Sequence, residues 1–155
     1  MNFGIILLKG ITVWFSFLAE GVWMKDDDFA DFRGESYEHE ASFRWPEQFA
    51  ESQQRLSRLS KDDALQLQKL ANWVNENLVR CLESGLPPHS DETQEVVGKH
   101  FVWVSSFWDP DKEAYLKLSE MYLEDERYFA FYERIHPGLS EYLSLAMKSY
   151  ANSML

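Results

Sequence analysis

The chain has 155 residues, 45% of them hydrophobic, enough for one well-buried domain and too few for a multidomain enzyme. Fifteen basic residues against 26 acidic ones leave a net charge of −11, so the chain repels phosphate backbones and direct nucleic-acid binding is not expected. Its single cysteine, Cys81, excludes an internal disulfide and a cysteine-built metal site, and there is no Asn-x-Ser/Thr sequon; both fit a reducing cytoplasm.

Residues 1–23 are almost wholly apolar, with Lys9 and Glu20 as the only charges. A membrane span needs about 20 predominantly apolar residues, whereas the run from Phe3 to Ala19 is shorter and is interrupted by Lys9. A secretory signal carries its positive charge ahead of the apolar run, and Phe17-Leu18-Ala19 is a poor cleavage sequence. Met24 reads naturally as the start of a soluble protein. The segment is therefore read first as a non-native or mis-started extension, with a membrane or export anchor and a segment packed on the domain as the alternatives. Residues 24–42 set Lys25 and Arg33 against Asp26, Asp27, Asp28, Asp31, Glu35, Glu38 and Glu40, a local charge of +2 and −7. With few apolar residues among them, they are expected to form a mobile acidic arm.

From Phe43 onward the apolar spacing is helical, with no sustained strand alternation and no two-residue hairpin signal. The expected class is all-α, with five to six helices. Pro46 suits a first helical turn, and the helix it opens carries Phe49 and Leu56. Ser60 with Asp63 reads as a capping box for the longest helix, whose stripe is Leu67, Leu70, Val74, Leu78 and Cys81; Gly85 and Pro87-Pro88 close it. Ser90 or Asp91 caps a helix in which Val97, Phe101, Val104 and Trp108 recur, and Asp109-Pro110-Asp111 breaks it. Tyr115, Leu118 and Tyr122 mark one short helix, and Tyr128, Phe131, Tyr132 and Ile135 another. Pro137-Gly138 opens the last, with Leu139, Tyr142, Leu143, Ala146, Met147 and Tyr150 on one face.

Chemistry is sparse. There is no Gly-rich phosphate loop, HExxH, nucleophile elbow or Cys-x-x-Cys, which argues against an enzyme. Asp62-Asp63, Asp91-Glu92 and Glu124-Asp125-Glu126 fall at helix beginnings, where the helix dipole favours negative charge, so capping accounts for them. Cys81 lies on a buried stripe without a neighbouring cation and reads as an inert core thiol. His100 precedes an apolar run and reads either as a ligand contact or as a structural histidine with a satisfied hydrogen bond; a haem-ligand reading has no supporting motif. The aromatic residues, 15% of the chain, are the informative feature. Either they form an unusually aromatic core, or some line a ligand cleft centred on Trp103, Phe107 and Trp108.

The C-terminal two thirds carry a more specific pattern. Gly85, then His100 with Phe107-Trp108, then Leu118-Ser119-Glu120-Met121-Tyr122-Leu123-Glu124-Asp125-Glu126-Arg127-Tyr128, and finally His136-Pro137-Gly138-Leu139-Ser140-Glu141-Tyr142-Leu143, resemble the TipAS antibiotic-recognition domain. That domain is the effector-binding half of some MerR-type transcription activators. Arg44-Trp45 and Ser52 are similar to the family's entry segment, and the resemblance spans residues 43–155. It implies a globin-like helical fold without haem or other cofactor. It also implies non-catalytic binding of bulky hydrophobic, thiopeptide-like antibiotics, with an N-terminal part that closes over the ligand.

Two departures shape the expectation. The 42 residues ahead of the domain, apolar and then acidic, do not fit a winged helix-turn-helix and a dimerising helix, so this chain by itself is not expected to activate a promoter. The family's thiostrepton-responsive branch carries a cysteine after the aromatic pair, where this chain has Phe107-Trp108-Asp109-Pro110, so reversible binding is expected rather than covalent capture. The expected ligand-binding residues are Trp45, His100, Trp103, Phe107, Trp108, Tyr115 and Tyr122, serving drug sequestration or sensing. The alternative is a protein-interaction module with a protein partner, in which the same rings are core.

Overall fold

The computed structural model describes residue 43 and residues 46–155, in which every regular element is an α-helix. The elements are α1 (Pro46–Arg58), α2 (Lys61–Glu83), α3 (Asp91–Ser105), α4 (Lys112–Glu124), α5 (Glu126–Ile135) and α6 (Leu139–Met154). The expected extension and acidic arm over residues 1–42, the residue Trp45 and the side chain of Phe49 lie outside the described residues. Among the described residues no helix is long and apolar enough to cross a membrane.

Helix ends follow local chemistry. At α2 the Ser60 hydroxyl accepts the Asp63 N–H at 3.1 Å while the Asp63 carboxylate accepts the Ser60 N–H at 3.0 Å, closing the capping box. Gly85, at φ +68°, ends that helix in a left-handed turn: its N–H donates to Leu82 and that of Leu86 to Cys81, so two otherwise orphaned carbonyls are satisfied. Ser90 caps α3 and Asp111 caps α4. Asp125 ends α4 and caps α5 within one residue, which turns the chain sharply. Gly138, at φ +85°, supplies the left-handed entry to α6. Having no side chain to cap with, it is assisted by Glu133, whose carboxylate accepts the N–H groups of Gly138 and Ser140.

The last helix is the axis of the molecule. α6 packs most extensively on α4 and also meets α2, α3 and α5, while α2 lies along α3 and α5 against α4. Of its expected stripe, Leu139, Tyr142, Leu143, Ala146 and Met147 are buried, whereas Tyr150 is only partly buried and Ala151 completes the buried face. Two expectations need correction. Leu67 and Leu70 are only half-buried, because the burial of α2 is concentrated toward its C-terminal half, at Val74, Leu78 and Cys81. Trp108 is buried, but it falls beyond the end of α3, in the connection to α4, so its burial comes from that turn and not from a helical stripe.

Candidate functional site

His100, Trp103 and Phe107 follow at intervals of three and four, so the α3 helix and its C-terminal turn direct them to one side. Tyr115 and Tyr122, two turns apart on α4, face them. Trp103 meets Phe107 edge to face at a centroid distance of 5.1 Å, and the His100 ring lies 6.0 Å from Trp103, 5.9 Å from Tyr115 and 6.0 Å from Tyr122. The cluster continues through Tyr122 to Tyr128 and Tyr132 of α5, at 5.3 and 5.0 Å. These tilted and edge-on arrangements let the positive rim of one ring meet the negative face of another.

His100 is the polar centre of this cluster, only 3% exposed. Its Nδ1 is hydrogen-bonded to the Tyr115 hydroxyl at 2.7 Å and its Nε2 to the Tyr122 hydroxyl at 3.3 Å. A neutral imidazole has one donor and one acceptor nitrogen, so two hydroxyls satisfy it completely without any charge. Burial pushes the His100 pKa down to about 3, which holds the ring neutral at physiological pH. The same burial raises the phenols of Tyr115 and Tyr122 well above their ordinary range. The outcome is an uncharged, hydrogen-bonded aromatic core with no group poised to titrate near neutrality.

The cluster also contains a buried polar atom. The Trp103 indole Nε1 is buried and has no hydrogen-bond partner among the described residues. A buried, unused N–H costs about 1–3 kcal/mol relative to a paired one, so it marks a place where an acceptor would be welcome.

α1 reaches this region through polar clips. Ser52 Oγ donates to the Phe107 carbonyl at 3.3 Å. The Arg55 guanidinium donates to the Ser105 carbonyl at 3.0 Å, to Asp109 at 2.7 Å and to Glu51 at 2.6 Å. Arg55 thereby places a cation on the last carbonyls of α3, the negative end of that helix. The hydrogen bond to Asp109 is the main cause of the raised Arg55 pKa. Leu56 and Leu59 rest against the core. Asp109 is well exposed, which limits what the ion pair contributes. Arg55→Ala is expected to weaken the seating of α1 by about 1 kcal/mol, read as roughly fivefold faster amide exchange in α1 with α4–α6 unchanged. Equal acceleration in all helices would show that α1 is not a separately seated element.

Of the seven residues expected at the site, the structure brings six together and buries all six: His100, Trp103, Phe107, Trp108, Tyr115 and Tyr122. Trp45 lies outside the described residues. Trp103 and Phe107 pack edge to face, and Tyr115 and Tyr122 of α4 flank the His100 ring beside them. A groove of about 360 Å³ does exist, but it is lined by Trp73, Arg80, Cys81, Ser84, Leu86, Glu92, Glu95 and Val96, none of them an expected site residue. Sequence reasoning also missed Ser52 and Arg55 as clips, and Tyr132 as a ring partner of Tyr122 at 5.0 Å. Only the recurrence of Tyr132 on the stripe of α5 pointed inward. Among the described residues no three His, Cys, Asp or Glu side chains converge on a common metal position.

Residues 37–150 match the family model of the TipAS antibiotic-recognition domain. The chain belongs to that family. The TipAS-like chain is 32% identical over 119 residues to the HTH-type transcriptional regulator SkgA of Caulobacter vibrioides, covering 76% of this chain and 45% of SkgA. It is 26% identical over 130 residues to the HTH-type transcriptional activator TipA of Streptomyces coelicolor, covering 82% of this chain and 51% of TipA. The chain thus spans about half the length of the curated relatives it matches. Its fold matches that of TipAS from Streptomyces lividans, solved with nosiheptide in work on a thiopeptide antibiotic multidrug resistance system. The TM-score is 0.70 at 24% identity, over 85% of this chain and 97% of that one. The expected globin-like, all-α TipAS fold is therefore established.

Proposed function

We propose that this TipAS-like domain binds bulky hydrophobic, thiopeptide-like antibiotics reversibly and without catalysis, to sequester the drug or to sense it for a transcriptional regulator. The observation that carries the reading is the family match over residues 37–150, which falls on an antibiotic-recognition domain and includes the whole buried aromatic cluster. The orphaned Trp103 N–H within that cluster supports it, because heterocycle-rich peptide ligands present acceptors and flat apolar faces together.

In this reading α1 and the segment carrying Trp45 lie over the ligand. The drug occupies the space under α1 against Trp103, Phe107 and Trp108, while His100, Tyr115 and Tyr122 form the wall behind it. Ser52 and Arg55 are the clips that open and re-form. Because these rings are already buried, binding requires rearrangement of what covers them, and the net affinity is the gross ring contact less that cost. The protein acts in the cytoplasm.

Intrinsic fluorescence gives the test, since the chain has six tryptophans. Addition of nosiheptide is expected to change the emission saturably and to raise the melting temperature, as any ligand selective for the native state must. A panel of thiopeptides that alters neither emission nor melting temperature would refute the reading. Recovery of a specific protein partner whose binding leaves the aromatic cluster unperturbed would favour an interaction module instead.

A further inference from the structure

The groove at the other end of α3 is a second candidate site, and it is built differently from the aromatic cluster. Trp73 and, two turns later, Arg80 and Cys81 lie along one side of α2, and Ser84 follows at its C-terminal cap. Glu92, Glu95 and Val96 lie on the facing side of the first turns of α3, and Leu86 closes the end between the helices. From Glu92 to Trp103 the helix rises about 16 Å, so the groove and the aromatic cluster are separate places. A volume of about 360 Å³ is at the low end of ligand pockets, too small for a bulky antibiotic and suited to a compact molecule.

One end of the groove is anchored by hydrogen bonds. The Tyr142 hydroxyl of α6 donates to the Leu86 carbonyl at 2.9 Å and is hydrogen-bonded to Thr93 at 2.8 Å, while Ser90 Oγ donates to Thr93 Oγ1 at 2.8 Å. These bonds tie the turn after α2, the start of α3 and the last helix together at the Leu86 end of the groove. The indole of Trp73 is 42% exposed beside it, an unusual position for the most costly side chain to leave in water. Arg80, Glu92 and Glu95 are exposed and make no ion pair among the described residues, which gives the rim of the groove two carboxylates and one guanidinium, a net negative charge.

We infer that this groove binds a compact organic monocation with a flat apolar body, such as an aromatic amine. The ring lies on the Trp73 indole and against Leu86 and Val96, and the ammonium group is received by Glu92 and Glu95. The excess of negative charge over the whole chain, −11, draws a cation toward it. Arg80 limits the site to one positive charge and disfavours dications.

Tryptamine serves as the probe, with the similarly shaped anion indole-3-propionate as its control. In nitrogen-15 correlation spectra of the full chain, tryptamine is expected to shift the Trp73 indole and the Glu92, Glu95 and Val96 amide resonances saturably, with the Trp103 indole unmoved. The double variant Glu92→Gln/Glu95→Gln is expected to weaken this by about tenfold, and Arg80→Gln to tighten it several-fold. The inference is overturned if tryptamine gives no saturable shift, if indole-3-propionate binds equally well, or if the double variant binds tryptamine unchanged. None of these outcomes depends on thiopeptide binding, which is read at Trp103.

Discussion

Phe107→Ala is expected to lower the free energy of unfolding by about 3–5 kcal/mol, among the largest effects available in this chain. Its ring is fully buried, stands edge-on to Trp103 at 5.1 Å, and sits in the turn whose carbonyl accepts the Ser52 hydroxyl. Truncation removes the apolar burial and leaves a ring-sized void between α3 and its neighbours, which rigid helix packing closes only in part. Urea denaturation should show a lower midpoint with the slope preserved. Phe129→Ala, at a ring on α5 that is 43% exposed, is the control and should change stability by about 1 kcal/mol or less. A loss below about 1 kcal/mol for Phe107 would mean that its ring already borders a solvent-filled cleft.

Acid should destabilise the protein earlier than its carboxylates alone require. His100 carries a folded pKa of about 3 against an unfolded value of 6.5, so on acidification the unfolded chain takes up the proton first. The contribution of the neutral ring is therefore complete above 6.5 and falls as the pH drops toward 3, at about 1.4 kcal/mol per unit. Between about pH 7.5 and about pH 5 the loss comes to about 2 kcal/mol. Asp125 behaves in the opposite sense. Burial pushes its carboxyl up, but the hydrogen bonds and charge of Arg127 outweigh this and hold it below the ordinary value of 3.8, so its contribution is present above 3.8 and lost only below. The two windows separate on the pH axis. His100→Gln is expected to be less stable at neutral pH, because a hydroxyl loses its partner, and to show no such slope above pH 5. A wild-type slope that survives in the variant would place the titration elsewhere.

Most of the helical framework is legible in the sequence because its signals are local. The Ser60 and Asp63 box, the Gly85 turn, the Asp109-Pro110-Asp111 break and the spacing of Leu139 through Met147 each report on neighbours within a few residues, and the structure places each as read. The family blocks around Met121 and His136 carried the fold beyond what periodicity alone supports. What sequence could not convey is long-range. Whether Trp103, Phe107 and Trp108 line a gap or fill one depends on how closely α4 approaches α3, and no spacing encodes that distance. Arg55 looks like an ordinary surface arginine until the end of α3 arrives beside it, 50 residues later. His100 was legible as a buried histidine, but its two tyrosine partners come from a different helix.

The central claim is that a bulky antibiotic binds against the cluster of Trp103, Phe107 and Trp108 beneath α1. Tryptophan indole resonances observed during a nosiheptide titration of the full chain test it most directly, because each ring reports its own surroundings. Binding at the cluster is expected to move the Trp103 and Trp108 indole signals saturably, with the orphaned Trp103 N–H shifting downfield as it gains an acceptor, while Trp73 stays in place. Saturable movement of Trp73 with Trp103 and Trp108 unchanged, or no saturable movement at all, would contradict the account.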